Sequence, residues 1–211
     1  MRKEQLAVYG ITDRKALGQQ AFMVAVEASL KGGVTCLQLR EKHLSTSDFL
    51  QEALQVRPVC QRYRVPLIIN DSIEVALATH ADGVHVGQND RPVREVRALI
   101  GPEKVLGVSA QTVEQALQAE RDGADYLGVG AVFPTGSKSD AEAVSLECLK
   151  AICQAVSIPV VAIGGISPKT LPSLKGSGIC GIAVIQGIYG QPDVQEATRQ
   201  LKQLAQSVIQ G

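Results

Sequence analysis

Two carboxylates, Asp71 and Asp90, each follow a short apolar run. The first run is Pro66 to Ile69 and closes in Asn70-Asp71; the second is Gly83 to Val86 and leads through Gly87-Gln88-Asn89 to Asp90. If these runs are neighbouring parallel strands, both acids stand at the same end of one sheet. Adjacent strands lie about 4.8 Å apart, close enough for two carboxylate heads to serve one hard cation. Mg2+ takes one or two carboxylates plus phosphate oxygens and water, so a metal-held diphosphate fits this pair. Each acid also has a plainer use. Asp71 can cap a helix beginning near Ser72, and Asp90 can sit in a turn ahead of Pro92.

Other run ends are polar too. Gln38-Leu39-Arg40-Glu41-Lys42 alternates, so Gln38, Arg40 and Lys42 turn to one side and Leu39 to the other. Two cations and an amide on one side suit a phosphate, with Arg40 supplying a planar fork. A solvated strand end with an Arg-Glu pair is the simpler account. Ser109 ends another run and is placed either to bond a ligand or to begin a turn. Phe133-Pro134-Thr135-Gly136-Ser137-Lys138 offers hydroxyls, backbone donors and a cation, an anion nest without Walker spacing. Gly164-Gly165 lets backbone N–H groups approach a ligand closely. Gln186-Gly187 would complete a cup beside it. The histidines carry less. His85 lies inside a run and reads as a satisfied core residue, His80 complements a helix end, and His43 is a loop residue near Arg40 and Lys42. No Ser-His-Asp or Cys-His arrangement supports a hydrolase triad.

These residues need elements to hold them. A β-rich run, a turn and a helical stretch recur along the chain. The runs are Leu6 to Thr12, Thr35 to Leu39, Leu67 to Ile69, Val84 to Val86, Val105 to Val108, Tyr126 to Val129, Val160 to Ile163 and Gly181 to Ile185. Between them, stretches such as Gln19 to Lys31 and Thr112 to Arg121 carry apolar residues at helical spacing. Thr112 and Ser145 stand where helix caps belong, and a last helix runs from about Val194 to Ile209. Strand-helix alternation means a parallel sheet buried on both faces. Eight units with no composition shift predict a (β/α)8 TIM barrel over a doubly wound open sheet, with residues 1–211 as a single domain. Its active site would lie at the C-terminal strand ends, where the polar residues gather. The longest connection, Phe133 to Ala143, is the one expected to be functional.

Composition sets the limits. The 211 residues are 45% hydrophobic but only 3% aromatic, so the core must be aliphatic. Twenty-one basic residues balance 21 acidic ones, which favours neither nucleic acid nor an anionic membrane as a partner. Any attraction for phosphate must therefore be local. The five cysteines are odd in number and form no Cys-x-x-Cys pair, so they read as reduced small hydrophobes in a cytoplasmic protein. Neither a signal-peptide core nor an uninterrupted apolar span is present in the sequence.

With these motifs in view, the chain resembles the thiamine-phosphate synthase family. The likeness runs from Tyr9-Gly10-Ile11-Thr12-Asp13 to Gly181-Ile182-Ala183-Val184. Between them it is carried by Gln38-Leu39-Arg40-Glu41-Lys42, Asn70-Asp71, the stretch from Ala81 to Asp90, Gly107-Val108-Ser109, Gly123-Ala124-Asp125-Tyr126, Phe133 to Lys138 and Ala162 to Ile166. The resemblance implies transfer of a pyrimidine methyl group from its diphosphate to the nitrogen of a thiazole phosphate, with Mg2+ as cofactor. It implies Asp71 and Asp90 as metal ligands. Gln38, Arg40, Lys42, Asn70, Ser109 and Lys138 would meet the pyrimidine diphosphate, and Leu39 and Glu41 of the same motif and Gly136 would also be substrate-binding. Thr135, Ser137, Gly164, Gly165, Ile185 and Gln186 would meet the thiazole phosphate. Catalytic roles would fall to Arg40, Ser109 and Lys138.

The chain departs from the family's pattern at Gln111, Gly136 and Gln186. The last must fold aside or itself bind phosphate. Rival readings are a thiazole tautomerase-like relative, another small phosphate-binding barrel, and a ligand-binding regulatory barrel without catalysis. A homo-oligomer is compatible with all of these.

Overall fold

The computed structural model describes residues 1–17, 21–135 and 143–209. Eight parallel strands close into a barrel in chain order: β1 Val8–Ile11, β2 Cys36–Leu39, β3 Leu67–Asn70, β4 Gly83–Val86, β5 Val105–Ala110, β6 Tyr126–Val129, β7 Val160–Ile163 and β8 Gly181–Val184. β8 pairs back onto β1 with Tyr9 opposite Ala183, so no edge is left open. The chain is thus the expected (β/α)8 barrel. Around it lie α1 Arg14–Leu17, α2 Phe22–Gly32, α3 Thr46–Tyr63, α4 Ile73–Ala78, α5 Val93–Ile100, α6 Val113–Arg121, α7 Leu146–Ala155, α8 Gln186–Tyr189 and α9 Val194–Ile209.

Alternation along each strand divides the core into two layers. Val84 and Val86 of β4, Leu106 and Val108 of β5, and Leu127 and Val129 of β6 join the aliphatic layer beneath the helices. Tyr9, Ile11, Cys36, Ile68, Tyr126, Val161 and Ala183 fill the barrel axis as a second cluster. The same period of two turns Gln38, His85 and Ser109 inward. Near the C-terminal strand ends this inner layer gives way from apolar to polar, and a cavity opens there.

Helix starts are set by small polar residues, as expected at Thr112 and Ser145. The side chains of Ser45, Ser72, Thr112 and Ser145 each accept the backbone N–H three residues on, at Asp48, Val75, Gln115 and Cys148. One unit departs from the strand-helix pattern. Between β7 and β8 the described helical structure is only a 3-10 turn, Leu171–Leu174. Pro168, Pro172, Gly176 and Gly178 crowd that stretch and deny it a longer helix. All five cysteines are free thiols, three of them buried.

Candidate active site

A cavity of about 350 Å³ opens at the C-terminal ends of the strands. On one side its lining includes Gln38, Arg40, Lys42, Asn70, Asp71 and Asp90, with Ser109 on the adjoining strand. On the other side it includes Thr135, Gly164, Gly165, Ile185 and Gln186. Residues far apart in sequence are therefore brought to one rim by barrel closure, as the repeated strand ends predicted.

The acids come together at the ends of β3 and β4. Asn70 lies opposite His85 in the strand register, and the Asp71 N–H donates to the His85 carbonyl at 2.9 Å. Ser72, not Asp71, caps α4, which leaves the Asp71 carboxylate for the cavity. Asp71 holds φ +60°, a left-handed backbone uncommon for a residue other than glycine. Lys42 Nζ meets Asp71 Oδ2 at 2.5 Å. Burial raises the Asp71 pKa above the ordinary carboxylate value; Lys42 opposes that rise and the neighbouring Asp90 carboxyl adds to it. Asp90 does serve its turn, since Oδ2 accepts the Gly87 N–H at 2.6 Å, yet it also faces the cavity. Its turn bond and its place on the cavity wall coexist there.

Arg40 is held at two points. Its backbone N–H donates to Thr12 Oγ1 at 3.0 Å, and its Nη1 meets Asp13 Oδ2 at 3.0 Å. Its Nε is buried and has no hydrogen-bond partner among the described residues. Arg40 as a whole lines the cavity, so its guanidinium stands where an anionic ligand would lie. Asp13 in turn accepts the N–H groups of Lys15 and Ala16 at the start of α1.

Not every expected residue reaches the cavity. Leu39 is fully buried in the layer under the helices, because strand alternation turns it away from the axis. Glu41 pairs with Arg14 at 3.0 Å, and burial raises its pKa. Neither side chain lines the cavity. Gly136, Ser137 and Lys138 lie outside the described residues. The Gln186 amide folds back along α8: a Cβ added at Gly190 would stand 2.2 Å from its Oε1. The longer side chain thus lies aside from the cup. Gly164 and Gly165 hold φ +100° and +63°, and Cβ atoms there would lie 2.6 Å from Ala131 Cα and from the Pro134 carbonyl. Only glycine fits that turn.

The barrel axis holds residues that the sequence did not single out. Gln38 Nε2 donates to the Tyr9 hydroxyl at 2.8 Å, and the Tyr9 and Tyr126 hydroxyls are 2.7 Å apart. Tyr126 Oη lies 3.0 Å from His85 Nδ1, and His85 Nε2 lies 3.0 Å from Ser109 Oγ. Burial pushes both tyrosine pKa values well above normal. His85 is thus satisfied, as expected, but by a polar line that ends in the cavity. Two glycines make room for it. A Cβ at Gly107 would lie 2.2 Å from Tyr126 Cζ and Oη, and one at Gly128 would lie 3.2 Å from His85 Cε1. Inward glycines beside a histidine were the available signal. We expect Gly107→Ala to cost about 1–3 kcal/mol of stability through overpacking. An unchanged urea midpoint would show that this space is not filled as described.

Residues 8–188 match the family described as thiamine monophosphate synthase. A thiamine-phosphate synthase of Clostridium tetani is 50% identical over 194 residues, 92% of this chain and 93% of the relative. One from Clostridium acetobutylicum is 48% identical over 199 residues, covering 94% of each. Among solved structures, a thiamine phosphate pyrophosphorylase from Pyrococcus furiosus superposes with a TM-score of 0.90 at 38% identity, covering 98% of both chains.

Proposed function

The chain belongs to the thiamine monophosphate synthase family and is a transferase forming thiamine phosphate, and on that premise we propose which of its residues perform the transfer. One observation carries the assignment: Asp71, Asp90, Arg40 and Lys42 share one cavity wall, facing the Gly164-Gly165 turn. The first set suits a leaving diphosphate and the second a phosphate bound by backbone N–H groups. The substrates are the pyrimidine methyl diphosphate and the thiazole phosphate.

The donor set fits magnesium. No group of three or more His, Cys, Asp or Glu that would cage a metal exists among the described residues. Mg2+ instead takes one or two carboxylates and fills the rest with water and substrate phosphate. Asp71 and Asp90 would hold it, and when bound it offsets charge on the diphosphate oxygens.

The bond between the methylene carbon and the diphosphate oxygen breaks, its electron pair leaving with the oxygen. The amino-substituted ring stabilises the resulting cation, and the thiazole nitrogen lone pair closes the new C–N bond. No net proton transfer is needed, so the protein's work is positioning and charge stabilisation. Arg40 and Lys42 receive the growing charge of the leaving group. Gln38, Asn70 and Ser109 orient the pyrimidine substrate. Thr135, Gly164, Gly165 and the Ile185-Gln186 backbone hold the thiazole phosphate. Ser137 belongs to that contact by resemblance, Gly136 is a substrate contact by resemblance, and Lys138 by resemblance contacts the diphosphate.

No described helix is long and apolar enough to cross a membrane. The free thiols suit the reducing cytoplasm, where we place the reaction.

Mixing the protein with both substrates, with and without Mg2+, and assaying thiamine phosphate by chromatography tests the proposal. Equal product in excess chelator would overturn the metal role, and no product in either tube would overturn the coupling. Lys138→Ala is expected to lower kcat by about 10²-fold with little change in thiazole-phosphate binding, as for a group acting in the transition state. Equal turnover with weakened binding would count against that role.

A further inference from the structure

The line of side chains on the barrel axis has a direction. Each hydroxyl has one proton to give. The Tyr9 oxygen accepts the Gln38 amide N–H, and the Tyr126 hydroxyl, 2.7 Å away, is the acceptor in reach for the Tyr9 proton; on that direction the rest of the line follows. The Tyr126 proton then goes to His85 Nδ1. Because Nδ1 accepts, the proton of the neutral imidazole sits on Nε2, where it is given to Ser109 Oγ. Ser109 Oγ then accepts from His85 and keeps its own proton to give on the cavity side, which it lines. The opposite polarity would need Gln38 to present its carbonyl oxygen to Tyr9 and would leave Ser109 an acceptor toward the cavity.

We propose that Tyr9 and Tyr126 are positioning residues that lock His85 in its Nε2–H tautomer and so hold Ser109 as a fixed hydrogen-bond donor to the pyrimidine diphosphate. The identity of that ligand rests on the function proposed above; the tautomer does not. The two rings are fully buried and meet edge to face at 5.8 Å, which leaves them little freedom to reorient. Gly107 and Gly128 carry no side chain where His85 and Tyr126 sit: a Cβ at Gly107 would lie 2.2 Å from Tyr126 Oη, and one at Gly128 3.2 Å from His85 Cε1. The device therefore costs two side chains on the barrel axis. A donor of set direction recognises an acceptor, a ring nitrogen or a phosphate oxygen, and disfavours a substrate that presents a donor there.

Imidazole 15N NMR on the whole protein reads the tautomer directly, with the His85 signals assigned by their loss in His85→Gln. The expected wild-type spectrum shows Nδ1 unprotonated and Nε2 protonated. Tyr126→Phe removes the donor to Nδ1, so a mixture of tautomers should appear. With it kcat should fall about tenfold, the factor carried by one hydrogen bond. Because Tyr126 acts through Ser109, the Tyr126→Phe/Ser109→Ala pair should be no slower than Ser109→Ala alone. A wild-type His85 protonated on Nδ1 overturns the proposal, as does a tautomer unmoved by Tyr126→Phe. Fully additive losses in the pair overturn it as well. Should Tyr126→Phe not fold, the wild-type spectrum still decides. Should the wild type catalyse no coupling, the function fails while the spectrum continues to test the tautomer.

Discussion

Replacing both Asp71 and Asp90 by asparagine is expected to remove magnesium-dependent coupling, a loss of about 10³-fold or more in kcat/KM, while the barrel stays folded. Asparagine is the right probe at both places. Asp71 holds φ +60°, and asparagine adopts that left-handed backbone where alanine would strain it. In Asp90→Asn the amide keeps an oxygen for the Gly87 N–H that Asp90 now accepts. The α4 cap is unaffected, because Ser72 provides it. Lys42 loses its partner, but its side chain is 44% exposed and water replaces the carboxylate at little cost. The single variants should differ from the double. One carboxylate still suffices for Mg2+, so each alone should raise the magnesium needed for half-maximal rate rather than abolish turnover. Magnesium titrations of rate, with thermal melts by circular dichroism alongside, separate these outcomes. A double variant with undiminished rate at the same magnesium would end the metal assignment.

How far the sequence carried this site depends on the kind of residue. Strand ends were legible because period two and a polar residue after an apolar run fix a side chain's place on a barrel rim, although not whether it caps a turn or meets a ligand. Gln38, Arg40 and Lys42 followed from alternation alone, and all three reach the cavity. Leu39 and Glu41 were drawn in only because they share that motif, and the same alternation removes them. The axis was not legible. Tyr9 and Tyr126 are 117 positions apart, and only barrel closure brings their hydroxyls together. A tyrosine or histidine within an apolar run looks like core, which these residues also are. The β7–β8 connection was read as another helical unit, although its prolines and glycines argued for the short turn that forms. Gln186 was legible as a departure but not in its consequence. The residue lines the cavity while its Oε1 lies beside Gly190 along its own helix, and chain direction at a helix start is a three-dimensional fact.

Arg40→Met should lower kcat/KM by about 10²–10³-fold, because it removes a preorganised charge from the departing diphosphate. The same change also disturbs the fold, and the two effects can be separated. Arg40 and Asp13 are paired at 3.0 Å with side chains only 12% and 11% exposed. Taking away one partner of a fully buried pair costs about 3–5 kcal/mol, since it strands the other charge. Asp13 is not wholly stranded, because Lys15 and Ala16 still donate their N–H groups to it. The expected loss is therefore smaller, about 1–2 kcal/mol. Adding Asp13→Asn removes the stranded charge yet keeps an oxygen for α1, so stability should return toward wild type. Coupling should not return, because no cation faces the diphosphate from that position. Arg40→Lys should give the complementary result. It keeps the charge but loses the planar fork, so only part of the rate should be recovered. Urea unfolding reads the first quantity and steady-state coupling at saturating magnesium the second. If Asp13→Asn restored rate together with stability, Arg40 would be a structural residue that merely borders the cavity. If rate stays lost while stability returns, Arg40 acts on the leaving group, and Asp13 is what aims it.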